Sequence, residues 1–231
     1  MQITGSKRLG NGKTILPPGY SPTKNQGVMD ENGNPSIMSI SDHERWVSSQ
    51  IDSDENSIRK DKFETAFIYS ADGTKLNVTQ GKPDRVNFTN EQVDKMKDGV
   101  LTHNHPNGVS FSAADIDLFG AGQLRSIRAT TPGGGTFELR RTGAMPKWMT
   151  GTVSSRQSKV ESAIKNADSK IRPRIQKLVN DGDLAPFEAG MLHNHLQAKS
   201  IAKELGLSYS HKLSGSESVN LEGYELAFNG A

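Results

Sequence analysis

Two histidines, His103 and His105, stand one residue apart in the stretch THNHPNGVSFSAADIDLF, and Ser112 and Asp115 follow them. On an extended strand, side chains two apart point to the same face, so both imidazoles can reach one ion. Pro106 ends the strand ladder, Asn107-Gly108 supplies a turn, and Ser112 opens a helix with Asp115 in its first turn. A loop of this length can bring that carboxylate back to the histidines. Two neutral imidazoles and one carboxylate, with a water in the fourth place, make an open Zn2+ site. The same letters carry a second reading. Ser112 and Asp115 have nearly the spacing of a capping box, and an acid in the first helical turn is favoured by the helix dipole. A strand, a turn and a capped helix would use these residues with no metal.

The tripeptide His-Asn-His occurs again at His193-Asn194-His195. There it falls in an expected helix, where residues two apart lie about 200° around the axis. His193 and His195 cannot both face one metal, and no carboxylate stands four residues from either, so this copy reads as coincidence.

The elements around the first cluster follow from pattern. Ser41 and Glu44 have capping-box spacing and open a helix whose apolar face is Trp46, Val47 and Ile51. KFETAFIYSADGTKLNVTQG reads as strand, Asp72-Gly73 turn, strand. Thr89 and Gln92 cap a short helix, VLTHNH is a short strand, and Ser112 starts a helix through about Leu124. SIRAT and TFELRR are strands around a Gly-rich turn. This order predicts an α/β fold, a compact mixed-sheet domain over residues 40–148. Residues 1–39, rich in Gly, Pro, Asn and Ser, read as an extended arm. Residues 149–231 read as a helical accessory segment. In it Val160, Ile164, Ala167, Ile171, Ile175 and Leu178 form one stripe, which Pro173 should kink or interrupt. A second helix from about Pro186 to Leu205 ends at Gly206 and completes a helical hairpin, and LSYSHKLSG is a further strand candidate.

Composition bounds the function. The chain has 231 residues, a net charge of +2 and no cysteine, so any metal site must use His, Asp, Glu and water. No apolar run approaches the roughly 18 residues that span a bilayer, and the N-terminus lacks the apolar stretch of a secretory signal. A cytoplasmic location is expected, with no membrane partner. Between Arg140 and Arg174 nine Lys and Arg face two acids, a block that could meet nucleic acid or lie as a solvated helix face. It carries no pattern of stacking aromatics, which ranks nucleic acid last among the partners.

The stretch HNHPNGVSFSAADI resembles the signature of the JAB/MPN (JAMM) metallopeptidase superfamily, His-x-His-Pro, a loop, then Ser-x-x-Asp. It is closest to the RadC-like and phage-borne branches and covers roughly residues 45 to 140. Its spacing departs from the family's, with one residue fewer than usual between His105 and Ser112. The resemblance implies that His103, His105 and Asp115 bind zinc. It implies that Ser112 hydrogen-bonds the tetrahedral intermediate or positions the water. It also implies an upstream glutamate as general base, for which Glu64 at the start of the first hairpin strand is the candidate and Glu44 a distant second. The function implied is zinc-dependent hydrolysis of a peptide or isopeptide bond in a protein or peptide substrate. The alternative is a non-catalytic assembly or binding module on the same fold, such as a phage head-associated protein, engaging its partner through the arm and the C-terminal helices.

Overall fold

A computed structural model of the chain describes residues 7–8, 14–15, 40–213 and 216–230, with the side chains of 45, 47–213 and 220–230. Its elements in order are β1 (Lys7–Arg8), β2 (Thr14–Ile15), α1 (Ile40–Ile58), β3 (Thr65–Tyr69), β4 (Lys75–Gln80), α2 (Asn90–Asp94), β5 (Val100–Asn104) and α3 (Ala113–Ala121). There follow β6 (Ser126–Thr130), β7 (Thr136–Arg141), a 3-10 turn (Lys147–Thr150), α4 (Val153–Asp181), α5 (Pro186–Leu205), β8 (Leu207–Lys212) and α6 (Ser216–Gly230). The chain divides into two units, Met1–Asp54 and Glu55–Ala231. In the first, β1 and β2 pair antiparallel, Lys7 opposite Ile15 and Arg8 opposite Thr14. The rest of the arm expected over residues 1–39 lies outside the described residues.

The second unit is an α/β structure built on a six-stranded mixed sheet in the order β4-β3-β5-β6-β7-β8. Every pairing is antiparallel except that of β5 with β6. That parallel pair is joined by α3, as a parallel connection requires a crossover. The two faces of the sheet differ in kind. One carries Ala66, Ile68, Leu101, Ile127, Ala129, Phe137 and Leu139, all buried, and shares its core with α3, α4 and α5. The other is polar. There Glu55, in the last turn of α1, accepts from Thr102 Oγ1 at 2.7 Å and from the Arg128 guanidinium at 2.6 and 3.0 Å.

The C-terminal segment does more than the expected accessory role requires. α4 and α5 pack on each other as a hairpin, but the chain then returns as β8 and extends the sheet by pairing with β7, Leu139 opposite Tyr209. Buried residues from Val160 to Phe228 belong to the same core as the sheet, so the boundary expected between 148 and 149 does not divide that core. Gly206 takes the left-handed conformation, φ +70°, that ends α5 and lets β8 begin one residue later. Pro173 does not interrupt α4. It sits on the exposed side, while Ala167 and Ile171 before it and Ile175 and Leu178 after it are buried and hold the helix across the missing hydrogen bond.

Much of the basic block is neutralised within the fold. Arg140 pairs with Glu138, Arg141 with Asp98, Lys159 with Glu204 and Arg172 with Asp168, and the Arg174 guanidinium stacks on Phe228. Among the described residues no helix is long and apolar enough to cross a membrane.

The Glu55–Arg128 pair gives the first expected outcome. Glu55→Ala removes the buried carboxylate that binds both Thr102 and Arg128 and should cost about 3 kcal/mol, within the range for breaking a buried pair from one side. Urea unfolding measures this, and an unchanged midpoint would show that the pair contributes nothing to stability.

Candidate metal centre

β5 is buried along its whole length, with β3 on one side and β6 on the other. Alternation turns Leu101 and His103 toward the apolar face and Thr102 and Asn104 toward the polar one. His103 lies opposite Ala66 on β3 and Ala129 on β6, two small residues that leave room beside the imidazole. His105 N–H still donates to Thr130 carbonyl at 2.8 Å, which continues the alternation for one more residue. The chain then reverses over Pro106 and Asn107, closed by Gly108 N–H donating to His105 carbonyl at 3.0 Å. Gly108 at φ +75° takes the left-handed conformation that turns the backbone toward α3.

Ser112 caps α3. Its hydroxyl accepts from Asp115 N–H at 3.3 Å, while its own N–H and hydroxyl each donate to Asp115 Oδ2 at 2.7 Å. The expected cap is therefore present, and it aims Asp115 at the histidines. Asp115 Oδ1 lies 3.2 Å from His103 Nε2, and Oδ2 lies 3.5 Å from His105 Nε2. The two Nε2 atoms are 2.8 Å apart. The two nitrogen–oxygen distances, to different oxygens of one carboxylate, bracket the roughly 3.3 Å between ligands of a tetrahedral zinc with bonds near 2.0–2.1 Å, and the two nitrogens stand closer together than that. Among the described residues this is a group whose ligand atoms, all within 4.8 Å of one another, could hold a metal ion.

Proton counting supports the fit. His105 Nδ1 faces the Val109 carbonyl at 2.9 Å and must donate to it, so in the neutral ring Nε2 carries a lone pair. If His103 Nε2 donates to that lone pair, its Nδ1 becomes a buried acceptor, and that atom has no hydrogen-bond partner. An ion held by both Nε2 atoms and Asp115 removes the need for a shared proton. It leaves His105 oriented by a backbone carbonyl, a common outer-shell arrangement for metal-bound histidine.

Glu64 stands beside this group. Continuing the β3–β5 register by two residues sets it opposite His105. Its backbone is fixed by Glu64 N–H donating to Lys82 carbonyl at 2.8 Å and Gly81 N–H donating to Glu64 carbonyl at 2.7 Å. Asn104, the middle residue of the tripeptide, holds the approach to it. Its Oδ1 accepts from Thr65 N–H at 2.7 Å, and its Nδ2 donates to the carbonyls of Asp61 and Phe63 at 3.2 and 3.1 Å. A fully buried side chain thus completes the ladder where β3 and β5 separate. Glu64, His103, His105, Ser112 and Asp115 all line one cavity of about 280 Å³, whose walls include Val86, Phe88, Val93 and Leu118.

The electrostatics match the geometry. Burial raises the pKa of the Glu64 carboxyl above its ordinary value, against the pull of His105 and His103. Burial also opposes charge on His105, but the Asp115 hydrogen bond and charge, with Val109 carbonyl and Glu64, outweigh it and push His105 up to about 9. For Asp115 burial acts upward, yet both histidines hold the carboxyl well below its usual range. The metal-free site therefore favours imidazolium against carboxylate. A raised His105 stabilises the metal-free fold fully below its unfolded value of about 6.5, and that contribution is lost as pH rises toward 9.

The structure brings His103, His105, Ser112, Asp115 and Glu64 together. Glu44 lies in α1 with its side chain outside the described residues. The sequence reading passed over Asn104, whose signal was its place between the histidines on the opposite face at a strand end. It also dismissed His195, which is buried with Glu225 Oε1 3.0 Å from its Nε2, a carboxylate supplied by α6 rather than by its own helix. His193 instead reaches Asp168 on α4 at 2.9 Å. Comparisons with protein-family models, curated proteins and solved structures give no match.

Metal binding must displace the proton held at His105. Apparent affinity for an added divalent metal should rise about tenfold per pH unit between pH 6 and 8, and His105→Ala should abolish uptake. Metal analysis by mass spectrometry and a chelator competition at several pH values would read both. An affinity that does not change with pH would mean that no such proton is displaced.

Proposed function

We propose that the chain is a zinc-dependent hydrolase of the JAB/MPN (JAMM) kind that cleaves a peptide or isopeptide bond with an activated water. One observation carries the reading: a buried carboxylate, Glu64, lines the same cavity as a His, His, Asp ligand group but lies outside it. A structural site has no use for such a group, whereas a hydrolase needs a base beside the ligands. His103, His105 and Asp115 would hold the ion. Bound zinc supplies a Lewis acid and a water acidic enough to ionise near neutral pH.

The chain's own residues do the rest. Glu64, with its pKa raised by burial, takes the attacking water's proton on its carboxylate and returns it to the leaving amine nitrogen. Ser112 lines the cavity and holds Asp115 Oδ2 through both its backbone N–H and its hydroxyl; the hydroxyl, turned from that oxygen while the N–H keeps it, would donate to the oxygen that becomes negative as water adds. Val86, Phe88, Val93 and Leu118 give the cavity an apolar wall against which an extended peptide segment would lie.

Glu64→Gln keeps the shape and removes the base. It should retain about one zinc per chain and lower cleavage by a factor of about 10²–10⁴. The measurement is the appearance of new amino termini in a proteome-derived peptide library treated with zinc-loaded protein. Cleavage by Glu64→Gln at the wild-type rate would remove Glu64 from the mechanism. Zinc binding without cleavage by the wild type would favour the non-catalytic assembly module.

A further inference from the structure

We propose that His195 is a positioning residue for the metal centre, acting through Tyr209 and Ser110 on the loop between β5 and α3. The inference rests on the metal-binding reading of His103, His105 and Asp115, and it gives the C-terminal segment a part in that site.

The connection is a continuous chain of hydrogen bonds. Ser110 is buried, and its hydroxyl meets Tyr209 hydroxyl on β8 at 3.0 Å. Tyr209 hydroxyl meets His195 Nδ1 on α5 at 2.8 Å. His195 Nε2 meets Glu225 Oε1 on α6 at 3.0 Å, and Lys199 Nζ donates to the same oxygen at 2.7 Å. The loop after β5, distant in sequence, is thus tied through β8 to a buried imidazole on α5 and a carboxylate on α6.

Hydrogen counting gives the chain one direction. The Glu225 carboxylate accepts, so His195 Nε2–H donates to it. In the neutral ring Nδ1 then accepts, and Tyr209 O–H must donate to it. The Tyr209 oxygen is left to accept from Ser110 O–H. Every donor and acceptor is used once, provided His195 stays neutral. Burial keeps it so, lowering its pKa to about 4.

The far end of the chain lies at the ligands. Val109, which precedes Ser110, gives the carbonyl that accepts from His105 Nδ1. Phe111, which follows Ser110, is fully buried and meets the Tyr209 ring edge-on at 6.5 Å between centroids. Ser112 then caps α3 and aims Asp115. Fixing Ser110 therefore fixes the His105 ring on one side and the Asp115 carboxylate on the other. Without the chain, residues 108–111 keep their turn but lose the anchor that sets its height above β5. Outer-shell groups of this kind alter metal affinity ten- to a hundredfold in other proteins.

The test uses the full chain, stripped of metal. Zinc is titrated against a competing chelator, and Co2+ is added separately and read by its visible absorption. Tyr209→Phe and Ser110→Ala should each weaken zinc binding ten- to a hundredfold and change the Co2+ spectrum. His195→Leu should do the same, and His195→Asn, which keeps an acceptor near the Nδ1 position, should recover part of the loss. A purely structural role would lower the melting temperature of the metal-free chain and leave the affinity and spectrum of the folded protein as they are. If Tyr209→Phe does not fold, Ser110→Ala decides, because it removes one hydroxyl and nothing else. Affinity and spectrum indistinguishable from a metal-binding wild type would overturn this inference alone. A wild-type chain that takes up no metal would overturn the reading of the site and this inference with it.

Discussion

A parallel strand pair cannot be closed by a hairpin, and the candidate site is built on the one parallel pair in this sheet. β5 and β6 run in the same direction, so the chain must leave the end of β5, cross one face through α3 and re-enter at the start of β6. The carboxyl end of β5 and the amino end of α3 are therefore neighbours. The first supplies the histidines, and the second supplies free backbone N–H groups that favour a negative side chain. β3, running antiparallel on the other side of β5, brings its own first residue to the same end, and that residue follows Glu64. Topology alone places two imidazoles, one capping carboxylate and one further carboxyl at a single edge. At that edge of an α/β sheet, ligands are bound as a rule.

The polar face of the sheet steadies this edge from behind. Thr102, which alternates with the histidines, donates to Glu55, and Glu55 binds Arg128 on β6. Asn104 makes three hydrogen bonds to the segment that leads into β3. A typical intramolecular hydrogen bond adds only about 1 kcal/mol, whereas a buried group left without its partner costs about 1–3 kcal/mol. The second figure matters more here. Glu55, Thr102 and Asn104 are buried, so a displaced strand end would leave polar atoms of all three unsatisfied at once, and the arrangement resists displacement more strongly than any single bond implies. The first face carries the larger apolar core, while these polar groups on the second, beside Phe67, Tyr69 and Val100, contribute register.

What the sequence disclosed depended on how local the determinant was. The His-x-His alternation, the turn at Gly108, the caps at Thr89 and Ser112, and the β6–β7 hairpin are set within a few residues, and pattern found them. β8 pairs with β7 across two helices, and LSYSHK has no run strong enough to announce a place in the sheet. Pro173 does not interrupt α4, because the buried stripe on either side holds the helix from outside, which no local rule about proline contains. The second His-Asn-His shows the limit most directly. Its geometry on a helix was read correctly, since its histidines diverge, one to Asp168 and the other to Tyr209 and Glu225. The search for a carboxylate partner four residues away was the error, because the partner lies thirty residues on, in α6.

Asp115 reads in the sequence as either a helix cap or a metal ligand, and its geometry allows both. A carboxylate has two oxygens and about four acceptor positions. Oδ2 takes the Ser112 N–H and hydroxyl, which satisfies the helix end, and Oδ1 faces His103. The cap is what makes the ligand useful, since it fixes a short side chain that would otherwise rotate freely and require ordering when an ion arrives. The cost of that ordering has already been met in folding. The Asp115 carboxylate lies against the same two histidines, so a proton and an added metal would compete for one place, while Oδ2 serves the helix cap through Ser112.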